Sequence, residues 1–364
     1  MSLSGLFHFE KHGGILVTYA GLSSVVDDSA PFAVTQPLMV IIYAFYPNRP
    51  EFMPVQARCF RRFLRGDYEL RIVNSATSEM ARADIAATAA DLSLHSLNVV
   101  VPDRSLPPSN AHSQLIHAVL RNQPKPPSGS IICLIDSDMF LLRDFSFHDF
   151  LDGYALAGRK DRRGNVRYLT GSGILAINTA LVPSVTDLDF TPARIGGVQT
   201  DTGGGLYHYL RNHPTAAVRG FAYSGKVNTR NGNRSCLPDA SRARYDDGFA
   251  IEIWEHAFLH YVSGSNWDKR GGGFHERKWD YVNTVVDGCI AGTTTLPTSS
   301  YAYHQVDIWD VANYPTDMTF FTRIGPDGRA YESGPWYFDI LKRAVPRQCA
   351  RHLPRWYTRW ARGN

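Results

Sequence analysis

The chain has 364 residues, of which 44% are hydrophobic and 20% are charged, a composition typical of a folded globular protein with one large or two ordinary domains. The formal net charge of +4 is too small to favour nucleic acid as the main partner. The five cysteines contain no Cys-x-x-Cys pair, which argues against a zinc site, and their odd number fits a reducing compartment.

The first 140 residues alternate between short apolar runs and amphipathic stretches, a pattern that predicts a parallel sheet with helical crossovers. Residues 1–36 are mixed in character and predict either a peripheral strand pair or a partly ordered arm. After them, the pattern predicts strands at 38–45, 68–74, 97–101 and 131–135, with helices at 54–64 and 81–92 and a third helix that opens at Ser109 or Asn110.

The most informative stretch is the apolar run from Ile131 to Ile135, which ends at two carboxylates, Asp136 and Asp138. Side chains two residues apart on an extended segment lie on the same side of it. Two neighbouring carboxylates repel each other, and a divalent cation with oxygen ligands relieves that repulsion. The stretch therefore predicts a metal site at the end of a buried strand, and the alternative is a solvated turn.

The second half predicts strands at 154–158, 171–178, 249–254 and 257–261, and a short helix at 206–210. The polar, Arg-rich segment 226–248 is long for an internal loop, which predicts a functional lid or a disordered segment. His260 stands at a strand end before a Gly-containing turn and is a candidate imidazole ligand, although a structural histidine is the alternative.

Four spaced segments resemble glycosyltransferases with the GT-A fold, and family 8, the glycogenin-like retaining enzymes, in particular. Residues 136–138 resemble the family's Asp-x-Asp motif, and 171–178 resemble its strand beside the transferred sugar. Residues 200–202 lie where the family has an Asp-Gln pair, and 260–267 resemble its late His-Gly motif. The resemblance implies an α/β fold with a mixed, Rossmann-like sheet flanked by helices.

The same resemblance implies a catalytic domain at 37–335, with a donor half at about 37–140 and an acceptor half at about 141–335. It implies Mn²⁺ or Mg²⁺ held by Asp136, Asp138 and His260, and Asp201 as the catalytic carboxylate, for which a helix N-cap is the alternative. The implied donor-binding residues are Tyr43, Ala44, Asn74, Ser137, Ser172, Gly173, Ser263, Gly264, Asn266 and Trp267.

Four departures separate the chain from the family pattern. Asn266 replaces the family's Lys, the Pro of the same motif is absent, Thr202 replaces the family's Gln, and His260 is one residue further from its Gly. A diphosphate still needs cationic compensation, for which Lys269, Arg270 or the Arg-rich loop are the candidates. These departures indicate either a divergent relative of family 8 or another GT-A family with a shared plan, rather than a typical family 8 member.

The expected function is metal-dependent, retaining transfer of a sugar from a UDP- or GDP-sugar to a hydroxyl of a glycan, a lipid-linked acceptor or a protein. One alternative is a sugar-1-phosphate nucleotidyltransferase, against which the glycine-free segment 46–50 counts. The other is a non-catalytic carbohydrate- or metal-binding module.

Residues 336–364 form a basic tail with interleaved aromatic residues, for which an Arg-rich surface helix is the alternative to a peripheral membrane contact. Because no apolar run approaches about 18 residues and no signal-peptide core is evident, we expect a cytoplasmic location.

Overall fold

The computed structural model describes residues 10–12, 15–20, 39–100, 106–122, 126–163, 166–182, 184–221, 223–228, 250–262, 264, 273–294, 303–304, 322–324 and 330–332. The helices are α1 (Phe52–Phe63), α2 (Glu79–Asp91), α3 (Pro108–Asn122), α4 (Phe147–Phe150), α5 (Leu206–Asn212) and α6 (Phe274–Ala291). The strands are β1 (Glu10–His12), β2 (Ile15–Ala20), β3 (Val40–Tyr46), β4 (Tyr68–Asn74), β5 (His95–Val100), β6 (Ile131–Asp136), β7 (Met139–Leu141), β8 (Leu156–Arg163), β9 (Val166–Asn178), β10 (Arg194–Ile195), β11 (Val198–Gln199), β12 (Val218–Gly220), β13 (Tyr223–Asn228), β14 (Ala250–Trp254), β15 (Phe258–His260), β16 (Tyr303–His304), β17 (Thr322–Ile324) and β18 (Ala330–Glu332).

Within the described residues, nine strands form one mixed sheet in the order β1-β2-β5-β4-β3-β6-β9-β8-β12. The four central strands β5, β4, β3 and β6 are parallel, whereas β9 runs antiparallel to both β6 and β8. The order of the parallel strands reverses between β3 and β6, and ligands of open α/β sheets bind at the carboxyl ends of strands at such a reversal. The predicted α/β class, with a mixed sheet flanked by helices, is confirmed.

The two faces of β3 pack against different helices because successive side chains of a strand point to opposite sides. Ile42 and Ala44 join the core layer that contains α1 residues, whereas Ile41 and Tyr43 join the layer that contains α3 residues. Every residue of β3 is buried, which explains its continuous apolar sequence. The central strands are thus covered on both faces, and their carboxyl ends form the crevice between the layers.

A second, four-stranded antiparallel sheet has the order β13-β14-β15-β7 in the described part of the chain. Its strand β7 begins at Met139, three residues after β6 of the large sheet ends at Asp136. The Asp-x-Asp segment is therefore the connection between the two sheets. This connection brings β14 and β15, which lie more than 100 residues later in the chain, to the end of β6.

Most predicted elements agree with the observed ones within a few residues, and the strand predicted at 68–74 matches β4. The segment predicted at 171–178 is longer, because β9 forms a hairpin ladder with β8 and begins at Val166. Helix α6 was not predicted, although the buried Val282, Val285, Val286 and Cys289 have helical spacing. Of residues 1–36, the described strands β1 and β2 pair with each other, and β2 extends the large sheet beside β5.

Several predicted features lie outside the described residues, among them most of the loop 226–248 and the tail 336–364. The proposed division at residue 140 falls within β7. None of the helices in the described segments has the length and apolar character needed to cross a membrane.

Of the glycines in the loop before α5, Gly203 has the least space for a Cβ next to neighbouring backbone atoms. We therefore predict that Gly203→Ala causes a large loss of stability. Its φ is +93°, and an added Cβ would lie 2.4 Å from the Gly171 nitrogen and 2.5 Å from the Leu169 carbonyl oxygen. Gly66 is the matched control, since its φ is +88° and a Cβ there would meet nothing within 4 Å.

Chemical denaturation should show a cost of about 1–2 kcal/mol for Gly66→Ala from its backbone conformation alone. Gly203→Ala should lose roughly 1–3 kcal/mol more because the added methyl group is overpacked. Equal unfolding free energies for the two variants would contradict the close packing of this loop on β9.

Candidate functional site at the junction of the two sheets

Asp136 and Asp138 lie where β6 ends, next to the carboxyl end of β3. Residues 131–135 of β6 are buried, whereas Asp136 is partly exposed at the strand end. The Ser137 N–H donates to the Phe45 carbonyl at 3.2 Å, so the turn between the two aspartates remains attached to β3. The predicted placement of both carboxylates at a strand end is therefore what the structure has.

Each aspartate accepts a hydrogen bond from a glycine backbone. Asp136 Oδ2 lies 2.7 Å from the Gly173 nitrogen, and Asp138 Oδ2 lies 3.0 Å from the Gly264 nitrogen. Gly173 has φ +85°, and a Cβ on Gly264 would lie 2.7 Å from the Cβ of Asp138. Both positions therefore favour glycine for a physical reason, left-handed backbone at one and close approach at the other.

The second oxygen of each carboxylate faces an imidazole. Asp136 Oδ1 lies 3.6 Å from His112 Nε2, and Asp138 Oδ1 lies 3.6 Å from His260 Nε2. The sequence analysis assigned a role to His260 but none to His112, which lies on the second turn of α3. The sequence feature that could have identified His112 is its position in a helix that begins near the strand reversal.

Glu252 orients His260 through a hydrogen bond of 3.0 Å between its Oε2 and His260 Nδ1. The two residues are direct partners across the β14–β15 ladder, and both side chains are largely buried. The shorter contact to a carboxylate at Nδ1 favours the tautomer that carries its proton there, and in that tautomer the Nε2 lone pair is directed towards Asp138. Sequence reasoning missed Glu252, although its polar side chain in an otherwise apolar strand was visible.

Gln56 of α1 holds the backbone on both sides of the aspartate turn and is fully buried. Its Nε2 donates to the carbonyl oxygens of Asp136, at 3.1 Å, and Met139, at 2.8 Å. Its Oε1 accepts a hydrogen bond of 3.0 Å from the Tyr46 hydroxyl. Both N–H groups and the carbonyl oxygen of this buried amide therefore have hydrogen-bond partners, which fixes the turn rigidly.

Two buried tyrosines lie near Asp138, and the negative charge of Asp138 affects their pKa values. Burial raises the pKa of Tyr261, and the negative charge of Asp138 raises it further. The pKa of Tyr46 is raised by the same two causes in the same order. The Tyr261 N–H also donates to the Asp138 carbonyl at 2.8 Å, so β15 is attached to the turn by its backbone as well.

The loop that contains Asp201 reaches the site through β9. The Thr202 carbonyl accepts the Gly171 N–H at 2.9 Å, two residues before the glycine that binds Asp136. Asp201 Oδ1 accepts the N–H of Thr202 at 2.8 Å, and the helix cap of α5 is Gly205 rather than Asp201. Ser172 is partly exposed in the same strand, with its Oγ 2.8 Å from Thr170 Oγ1.

The residues expected to line the base and ribose are mostly core residues. Tyr43 is 2% exposed and its hydroxyl accepts a hydrogen bond from Arg71, while Ala44 and Asn74 have no exposed surface. The Asn74 amide donates to the Arg82 carbonyl, which ties it to α2. Alternation along β3 points Tyr43 and Ala44 into the two core layers, and the burial of all three residues counts against direct contact with a ligand.

Ser263, Asn266, Trp267, Lys269 and Arg270 lie outside the described residues, so their predicted donor contacts stay predictions. Ser137, by contrast, is described and is 7% exposed at the tip of the turn.

The donor set suits a divalent cation in its chemistry, although the side chains are not gathered around one point. Among the described residues, no group of three or more His, Cys, Asp or Glu side chains is arranged to hold a metal ion. The Asp138–His260 and Asp136–His112 pairs are separate oxygen–nitrogen pairs, each 3.6 Å across. Two ligands bound at about 2.0–2.2 Å to one ion lie roughly 3–3.5 Å apart, so each pair fits two adjacent coordination positions.

The facing lone pairs of His260 Nε2 and Asp138 Oδ1 also favour a cation between them. The site contains three carboxylates, those of Asp136, Asp138 and Glu252, and one neighbouring guanidinium, that of Arg159. This set therefore carries an excess of two negative charges. A divalent cation would balance that excess.

Comparison with known proteins yields matches only among solved structures. No protein-family model and no curated protein matches the chain. A mannosyltransferase, PcManGT from Pyrobaculum calidifontis, in complex with GDP-Man and Mn²⁺, is 14% identical with a TM-score of 0.33 over 53% of this chain and 57% of that chain. The aligned part thus spans little more than half of PcManGT.

The galactosyltransferase LgtC, in complex with donor and acceptor sugar analogues, is 15% identical with a TM-score of 0.38 over 71% of this chain and 98% of that chain. The glycosyltransferase GlyE of Streptococcus pneumoniae TIGR4 is 11% identical with a TM-score of 0.33 over 73% of this chain and 66% of that chain. TM-scores this low do not carry a functional assignment, which therefore depends on the site itself.

We predict that Glu252→Gln weakens Mn²⁺ binding by about 10- to 100-fold, because an amide no longer fixes the tautomer and the basicity of His260. The free Mn²⁺ signal in electron paramagnetic resonance, followed through a titration, measures the affinity. Glu69→Gln is the matched control, since that carboxylate pairs with Arg71 on β4. Equal Mn²⁺ affinities for the two variants would contradict the role given to Glu252.

Proposed function

We propose that the chain is a metal-dependent GT-A glycosyltransferase that transfers a sugar from a nucleoside-diphosphate sugar to a hydroxyl acceptor, with retention at the anomeric carbon. The observation that carries this proposal is the pair of aspartates at the strand reversal, each with one oxygen on a glycine N–H and the other facing an imidazole. The expected donors are UDP- or GDP-sugars.

Asp136, Asp138 and His260 would hold Mn²⁺ or Mg²⁺, and His112 stands beside Asp136 as a further donor. The bound ion would supply Lewis-acid stabilisation of the charge on the departing nucleoside diphosphate. The protein's own contribution is rigidity: Gln56 fixes the turn backbone and Glu252 fixes the His260 ring before any ligand arrives. Such preorganisation avoids a reorganisation cost during the reaction.

Ser172 and Gly173 would lie against the transferred sugar, and Asp201 would act on the reacting carbon or the acceptor hydroxyl. Support for this placement comes from β9, which joins the Asp201 loop and the Asp136 carboxylate through Gly171 and Gly173. Asp201 would either stabilise oxocarbenium charge or accept the acceptor proton.

The acceptor would be a glycan, a lipid-linked sugar or a protein. A cytoplasmic enzyme with a peripheral membrane contact through the basic tail 336–364 would suit a lipid-linked acceptor.

The test is a thermal-shift panel of UDP, GDP and their sugars, each with and without Mn²⁺. Mn²⁺ alone should raise the melting temperature of wild-type protein, and nucleotide should add a further rise only when Mn²⁺ is present, by the equivalent of roughly 2.7 kcal/mol at a nucleotide concentration 100 times Kd. Asp138→Asn should abolish the metal-dependent shift and lower sugar transfer or donor hydrolysis by roughly 100-fold or more.

Asp144→Asn is the control, because Asp144 is an exposed residue of the same region whose ion pair with Arg65 contributes little to stability. Wild-type protein that binds neither nucleotide in the presence of Mn²⁺ would overturn the proposal. Sugar binding with calcium and without nucleotide would instead indicate a carbohydrate-binding module.

A further inference from the structure

Arg159 enters the site because the β8–β9 ladder changes register beside it. Gly158 pairs with Leu175, whereas the next residue, Arg159, pairs with Thr170. Residues 171–174 of β9 therefore lie between two consecutive pairs of the ladder and have no partner on β8. Bulges of this kind bend a strand and redirect a side chain, and they are common next to functional sites.

The redirected side chain lies directly over Gly173. A Cβ on that glycine would lie 2.8 Å from both Cδ and Nη1 of Arg159, so the space of the absent side chain is taken by the arginine. The Gly173 N–H is the group that binds Asp136. The guanidinium also lies over the Trp254 ring, with its Cζ 4.5 Å from the ring centroid. Arg159 thus lies between the two sheets and beside the aspartate turn.

The hydrogen-bonding capacity of this guanidinium is not used within the described residues. Arg159 Nη2 is 3.8 Å from Glu252 Oε2, which is an ion pair but too long for a hydrogen bond. Arg159 Nε is buried and has no hydrogen-bond partner there, and the side chain as a whole is only 19% exposed. A buried donor without a partner is costly, and a charged one more so.

We propose that Arg159 binds an oxyanion of the substrate, either the diphosphate of the nucleotide donor or a carboxylate of the transferred sugar. This inference rests on the proposed function and assigns its anion-binding residue. A planar fork of N–H groups matches phosphate and carboxylate oxygens in pairs. Trp254 packs against one face of the guanidinium, and the part of the side chain that remains exposed is the part that a ligand can reach.

The positive charge of Arg159 has opposite effects on the binding of the two ligands proposed for the site, the metal cation and the oxyanion. A guanidinium that pairs with Glu252 and lies over the glycine bound to Asp136 opposes the binding of a metal cation and favours an oxyanion. Removal of the charge should therefore strengthen one and weaken the other, whereas general damage to the fold would weaken both.

The experiment compares Arg159→Gln and Arg159→Lys with Arg219→Gln in full-length protein. Arg219 is the matched control, since its guanidinium also lies on an aromatic ring, 4.2 Å from the Phe150 centroid, but donates to the Phe150 carbonyl at 3.1 Å. Calorimetry would measure binding of Mn²⁺ alone, and then of UDP, GDP, UDP-glucose, UDP-glucuronate and GDP-mannuronate with Mn²⁺ present. Circular dichroism and thermal unfolding would report folding of each variant.

We expect Arg159→Gln to bind Mn²⁺ at least as tightly as wild type and the oxyanion ligand about 10- to 100-fold more weakly. Arg159→Lys should recover only part of the loss because it keeps the charge without the planar fork. A loss shared by every diphosphate identifies the diphosphate as the ligand, and a loss confined to the two uronate donors identifies the sugar carboxylate.

Affinities of Arg159→Gln for all five nucleotide ligands, the two uronate donors included, equal to those of Arg219→Gln would overturn the inference, as would parallel losses of Mn²⁺ and nucleotide binding. In both cases wild-type binding still supports the proposed function. Wild-type protein that binds no nucleotide diphosphate would overturn the proposed function and this inference together.

Discussion

The short covalent link between β6 and β7 is the constraint on which the site depends. Only Ser137 and Asp138 separate the last residue of β6 from the first residue of β7, so the two sheets must approach each other there. The Gln56 amide binds the backbone on both sides of the link and is itself fully buried. Because the backbone of this turn is fixed from within the core, the two carboxylates have little freedom to move apart.

The two aspartates have equivalent partners, which come from both sheets and from α3. The large sheet contributes Gly173 and α3 contributes His112 to Asp136, whereas the second sheet, through β15 and the turn after it, contributes His260 and Gly264 to Asp138. In both cases one carboxylate oxygen is held by a backbone N–H and the other faces an imidazole. The outcome is two oxygen–nitrogen pairs at partly buried positions, where electrostatic interactions are stronger than in bulk water.

The glycines at the site serve packing as much as backbone conformation. The cost of ordering a glycine is accepted where a side chain would displace a neighbour, as Arg159 at Gly173 and Asp138 at Gly264 illustrate. Such positions make the site sensitive to the addition of a single methyl group.

The sequence alone determined the alternating strands and helices of the first half and the position of Asp136 and Asp138 at the end of a buried strand. These features can be predicted because hydrophobic periodicity and the free-energy cost of burying a charged side chain both act locally along the chain. Only the tertiary structure decided that Glu252 binds His260, that His112 faces Asp136, and that Arg159 lies over Gly173. Those contacts join residues far apart in sequence through strand register and a β-bulge, which depend on how the two sheets pack and leave no local pattern.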